Sequence, residues 1–146
     1  MRAAVSADLH TADAARVALH TFWRIADDWD LTLLEQCTLL GRSPCRLNLW
    51  KTGRVGPLNH DLVLRLSHVF AIHAALQVLL PAPGRADRWL RTSNGAEFLG
   101  GTTAPQHILG KQMRGLTEVR HYLDQELGDY LAALDSGDKL SAVLAR

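Results

Sequence analysis

Cysteine is scarce: Cys37 and Cys45 stand alone in 146 residues. A single pair without a Cys-x-x-Cys spacing gives neither the usual zinc site nor a disulfide framework, so reduced, intracellular thiols are expected. Charge of one sign is lacking as well. Sixteen Lys and Arg against 15 Asp and Glu leave a formal net charge of +1, so any surface for nucleic acid or an anionic membrane must be local. Five prolines and 11 glycines are too few for a fibrous or disordered chain, and 47% hydrophobic residues supply a proper core. No uninterrupted hydrophobic run is present: Leu62 to Leu80 is broken by Arg65, Ser67, His68, His73 and Gln77, so no membrane span is expected. The N-terminus reaches Asp8 before an apolar stretch forms, unlike a secretory signal. These absences leave a soluble cytoplasmic chain, one compact domain or two small helical modules sharing a core.

Catalytic constellations are missing too. There is no nucleophile-elbow serine, no phosphate loop ending in Gly-Lys, and no dinucleotide fingerprint; Gly100-Gly101 lacks both the preceding strand and the lysine. The seven histidines show no His-Glu-x-x-His, and His68 and His73 are five apart, which rotates them away from each other on a helix. They are read as scattered surface or core residues. The sequence therefore assigns no catalytic residue, no metal ligand and no cofactor, and the chain is read as a non-enzyme.

What is present is helical periodicity. Ala14, Val17, Ala18, Phe22, Ile25 and Trp29 fall on one face and predict a helix over 12–28 capped by Thr11. Thr32 and Glu35 have capping-box spacing, opening a short helix that ends at Gly41; Ser43-Pro44 restarts the chain in a third helix to about Thr52. The longest helix spans about 60–80, apolar on two sides and hence central. Pro81-Ala82-Pro83-Gly84 breaks it. A short helix over 85–91, a polar glycine-rich loop, and two more short helices beginning near Ala104 and Thr117 follow. No run of alternating, β-branched residues predicts a strand. The fold class is all-α, with a long central helix joining a helix-turn-helix module (residues 1–80, the unit itself over about 32–53) to a small module over 81–128, followed by a tail over 129–146.

The second and third helices have the spacing of a helix-turn-helix: small Cys37 where helices cross, Gly41 at the turn, and apolar Leu47 packing back. Between Arg42 and Arg54 lie four cations and no carboxylate. Arg42, Arg46, Lys51 and Arg54 are candidate phosphate contacts, Asn48 the candidate base reader, and Ser43 offers a hydroxyl at a helix N-terminus. Two short helices joined by Gly-x-Ser are also consistent with ordinary packing. For the four tryptophans, core is the default; Trp89 stands out because it precedes the shaped loop 92–103. The long helix carries much apolar surface, so Leu66, Val69 and Phe70 are candidates for a homodimer contact, with full burial inside one chain as the alternative.

From about Phe22 to Asp124 the chain resembles the Xre/MbcA/ParS family of bacterial antitoxins. The resemblance runs through Leu39-Leu40-Gly41-Arg42-Ser43, Trp50-Lys51-Thr52-Gly53, Arg65-Leu66-Ser67, Trp89-Leu90-Arg91-Thr92-Ser93-Asn94, Phe98-Leu99-Gly100-Gly101 and Val119-Arg120-His121-Tyr122-Leu123-Asp124. It implies an all-helical antitoxin of a type II toxin-antitoxin system, which neutralises a RES-domain, NAD-consuming toxin and represses its own operon at operator DNA. It also implies toxin-facing roles for Trp89, Leu90, Asn94, Phe98, Gly101 and Gly110. Ser93 stands where the family commonly has proline, a departure within the loop. The alternative from a different class is a stand-alone helix-turn-helix regulator.

Overall fold

The computed structural model describes residues 11–93 and 97–136 and is all-α, with seven helices, one short 3-10 turn and no strand among the described residues. The helices are α1 (Ala12–Asp28), α2 (Leu33–Leu40), α3 (Pro44–Lys51), α4 (His60–Leu79), α5 (Arg85–Arg91), α6 (Ala104–Lys111) and α7 (Met113–Asp135), with the 3-10 turn at Glu97–Leu99. The chain falls into two compact units, Met1–Phe70 and Ala71–Arg146, and the division lies inside α4. The Pro81–Gly84 segment thus marks the end of a helix, while the division comes about ten residues earlier in continuous helix.

Local chemistry sets the helix starts in the first unit. The Thr11 hydroxyl accepts from the Ala14 N–H; Thr32 and Glu35 form a reciprocal capping box; the Ser43 hydroxyl accepts from the Arg46 N–H with Pro44 at the first helical position. Gly41 ends α2 in the left-handed region, φ +65, which glycine adopts without a Cβ penalty. The core of this unit takes Leu19 and Phe22 from α1, Leu39 and Leu40 from α2, Leu47 from α3, and Leu62, Leu66 and Val69 from α4, all essentially inaccessible. Each fully buried Leu or Phe contributes roughly 1.5–3 kcal/mol relative to exposure.

The second unit buries Ile72 and Leu76 of α4, Leu90 of α5, Leu99, Ile108 of α6, and Leu116, Val119 and Leu123 of α7. Helices α6 and α7 pack together across a one-residue corner. Gln112 forms that corner at φ +54, and Gly115 lies where a Cβ would come within 2.8 Å of the His107 carbonyl oxygen and the Ile108 Cα. The expected short helix from Thr117 is therefore corrected: α7 starts at Met113, immediately past the corner, and runs 23 residues. It also passes through Gly128, so the expected boundary between module and tail falls inside a helix; one glycine costs about 1 kcal/mol there, and good helix formers on both sides carry the helix through it.

By length and composition α4 alone among the described helices is long and apolar enough to cross a membrane, and half of it is buried within the chain, as in the central helix of a packed core. Burial corrects two of the residues expected at a homodimer contact. Leu66 and Val69 have no exposed surface and serve the core, so they are unavailable to a second copy; Phe70 is half-buried.

Candidate nucleic-acid interface and partner surface

Helices α2 and α3 are joined by the three-residue turn Gly41-Arg42-Ser43 and pack on each other, with Cys37 and Leu47 buried as their spacing predicts. Helix α3 turns Leu47 and Trp50 inward and leaves Cys45, Arg46, Asn48, Leu49 and Lys51 exposed. Arg54 is exposed in the segment that follows, where its N–H donates to the Leu49 carbonyl at 3.1 Å. Arg46, Asn48, Lys51 and Arg54 are thus presented on, or immediately after, one capped helix.

Two of the expected contact residues are largely occupied. The Arg42 guanidinium donates to the Gly41 carbonyl at 2.9 Å and to Asn59 Oδ1 at 3.0 Å, and lies 3.9 Å from Asp61 Oδ2, so it ties the turn to the start of α4. The Ser43 oxygen accepts from the Arg46 N–H at 3.3 Å, leaving its hydroxyl proton as the group to offer a ligand. Lys51 is exposed, with its ammonium 5.0 Å from the centroid of the Trp23 ring, a cation–π contact that draws the side chain toward α1.

Arg65 is the residue that motif reasoning passes over. Its guanidinium donates to the Leu39 carbonyl at 2.9 Å and to Asp61 Oδ2 at 3.0 Å, and its Cζ lies 3.1 Å from where a Cβ on Gly41 would stand. It satisfies a carbonyl of the last turn of α2 that has no partner within the helix, and lies across the glycine turn. Asn59 completes the latch, its Oδ1 accepting from the Leu62 N–H as well as from Arg42. The available signal is the i, i+4 pair Asp61 and Arg65, an acid preceding a base at helical spacing.

In the second unit Trp89 and Phe98 are half-buried and Gly101 and Gly110 exposed, Gly101 at φ +85. Asn94 lies outside the described residues. Leu90 is a correction: at 3% exposure it belongs to the core of its unit and offers no surface to a partner. The Phe98 ring meets His107 edge-on and Tyr122 at a tilt, both at 5.3 Å between centroids. The buried His107 places Nε2 3.3 Å from Glu118 Oε1, and Arg114 Nε lies 3.6 Å from the same oxygen. The Ser93 hydroxyl donates to the Gly101 carbonyl at 2.8 Å, holding the two ends of the loop together. Among the described residues no cluster of three or more His, Cys, Asp or Glu has metal-binding geometry.

These features define an all-α protein in which two short capped helices, joined at Gly41, pack on each other. The chain belongs to the same family as the uncharacterized protein y4oB of Sinorhizobium fredii, with which it shares 40% identity over 121 residues, 81% of this chain and 92% of that protein. No family model matches the chain, and no solved structure matches it.

Proposed function

We propose that the protein is a non-enzymatic antitoxin of the Xre/MbcA/ParS type, which binds operator DNA through α2 and α3 and neutralises a RES-domain toxin through its second unit. The observation that carries the DNA-binding half is the exposure of Arg46, Asn48 and Lys51 on a capped helix and of Arg54 just after it, in a segment from Arg42 to Arg54 that contains no carboxylate. Phosphate contacts from the cations orient the helix, and Asn48 reads a base edge. The toxin-binding half rests on the sequence resemblance, with Trp89, Phe98, Gly101 and Gly110 as its accessible residues. Neutralisation in this reading is steric: the bound surface closes the cleft through which the toxin admits NAD, burying well over about 1,000 Å². The protein acts in the cytoplasm as a homodimer, without a membrane partner or cofactor.

Co-expression with the neighbouring open reading frame, followed by pull-down, tests the antitoxin reading. A stable complex and relief of toxicity are expected; recovery of the chain alone while the neighbour stays toxic overturns it. The second reading is a stand-alone helix-turn-helix regulator, which uses the exposed cations Arg46, Lys51 and Arg54 and needs no partner surface in the second unit. That reading predicts a shift of the operon's promoter fragment at low salt by the chain alone, with no complex with the neighbouring product.

A further inference from the structure

A groove of about 450 Å³ lies in the first unit where α1 meets the C-terminal end of α3. Its walls are mainly apolar, formed by Val17, Trp23, Trp50 and Val55, with Arg16 and Lys51 as its cations, the exposed His20 and Thr21 as further polar groups and no carboxylate among the lining residues. The two cations are not equivalent. Arg16 is held by the Asp13 carboxylate and by the Gly53 carbonyl, which accepts from its Nε at 3.1 Å. Among the described residues Lys51 contacts only the face of Trp23, so its charge is available to a ligand. Val17 at the rim is 66% exposed, an apolar side chain that the rest of the described chain leaves uncovered.

We propose that this groove binds a small, largely apolar monoanion such as an aromatic carboxylate, its apolar body against Val17 and Trp23 and its carboxylate on the Lys51 ammonium. The size falls in the range of small-molecule sites, which pair apolar walls with a few placed polar groups. Val17 and the part of Trp23 that the chain leaves open supply the apolar wall. An anion is selected because the groove offers positive charge without a competing carboxylate, and the cation–π contact holds Lys51 at Trp23, on the groove wall that the ligand would meet. A dication finds no carboxylate among the lining residues. The proposal shares Lys51 with the DNA-binding reading, but its test is made on the free chain without DNA or toxin, so failure of either is read separately.

The test is a titration of the full-length ¹⁵N-labelled protein with naphthalene-2-carboxylate, and separately with neutral naphthalene-2-methanol, read at the four tryptophan indole N–H signals. Trp→Phe variants assign the signals. Saturable shifts at Trp23 and Trp50, with Trp29 and Trp89 unmoved and a Kd of about 1 mM or tighter, are expected for the carboxylate. The neutral compound should bind at least about fivefold more weakly, and Lys51→Met should remove that difference while leaving the residual apolar binding. Val17→Glu, an exposed position where the fold has nothing to lose, should abolish carboxylate binding by repulsion at the rim. Absence of saturation, movement of all four signals, or equal affinity for the two compounds overturns the proposal.

Discussion

Three glycines in this chain answer to three different constraints, and substitutions separate them. Gly41 needs a positive φ and faces the Arg65 guanidinium, the end of a long side chain that has room to yield. Gly41→Ala should destabilise the protein by about 1–2 kcal/mol in urea unfolding, mostly through backbone strain, with Gly41→Asn milder. Gly115 has an ordinary helical φ but faces the backbone of His107 and Ile108, which has no rotamer to change. Gly115→Ala therefore forces α6 and α7 apart and should cost about 1–3 kcal/mol. Gly110 has open space around its Cα and sits within a helix, so Gly110→Ala should stabilise the free chain by a few tenths to about 1 kcal/mol. Weaker toxin binding by that stabilised variant, measured by calorimetry, is the outcome expected if Gly110 lies at the toxin contact; unchanged binding removes it from the interface.

At the scale of elements, the sequence was most legible where the determining chemistry is local. The Thr11, Thr32 and Ser43 caps, the Gly41 stop and Pro44 each act within four residues, and the helices they bound are observed within a residue of the reading. Ser43→Ala should accordingly lower stability by about 1 kcal/mol, seen as a reduced thermal midpoint without loss of the folded baseline. The same local rules failed at α7. Its start depends on Gln112 taking a positive φ, which a glutamine does not advertise, and its end on the helix continuing through Gly128. Gly128→Ala, with nothing within 4 Å of the added methyl, should stabilise by about 0.5–1 kcal/mol. The candidate site was legible only as residue types in order. The exposed cations Arg46, Lys51 and Arg54 follow from helical spacing, but the occupation of Arg42 depends on Asn59 and Asp61, which lie on the far side of a loop. Likewise, whether Leu90 faces a partner or a core depends on α6 packing beside α5, information that a heptapeptide does not hold.

For the whole molecule, the DNA-binding reading carries a quantitative expectation. Arg46, Lys51 and Arg54 from each of two subunits would neutralise about six phosphates, so affinity should fall on the order of a thousandfold between roughly 50 and 200 mM salt. Arg46→Ala or Arg54→Ala should weaken binding to all sequences and reduce the slope by about one per contact in each half-site; Asn48→Ala should leave the slope intact and narrow the difference between operator and random DNA. Light scattering decides the oligomeric state that this count assumes. The one-residue corner between α6 and α7 bears on the order in which the chain folds. The backbone approach of Gly115 to His107 joins residues only eight apart, so its closure confines a short loop and costs little chain entropy, whereas the reach of Arg65 to Leu39 spans 26 residues. The helical hairpin should therefore be assembled at the folding barrier and the Arg65 latch close after it: Gly115→Ala should slow refolding, while Arg65→Met should chiefly hasten unfolding in stopped-flow experiments.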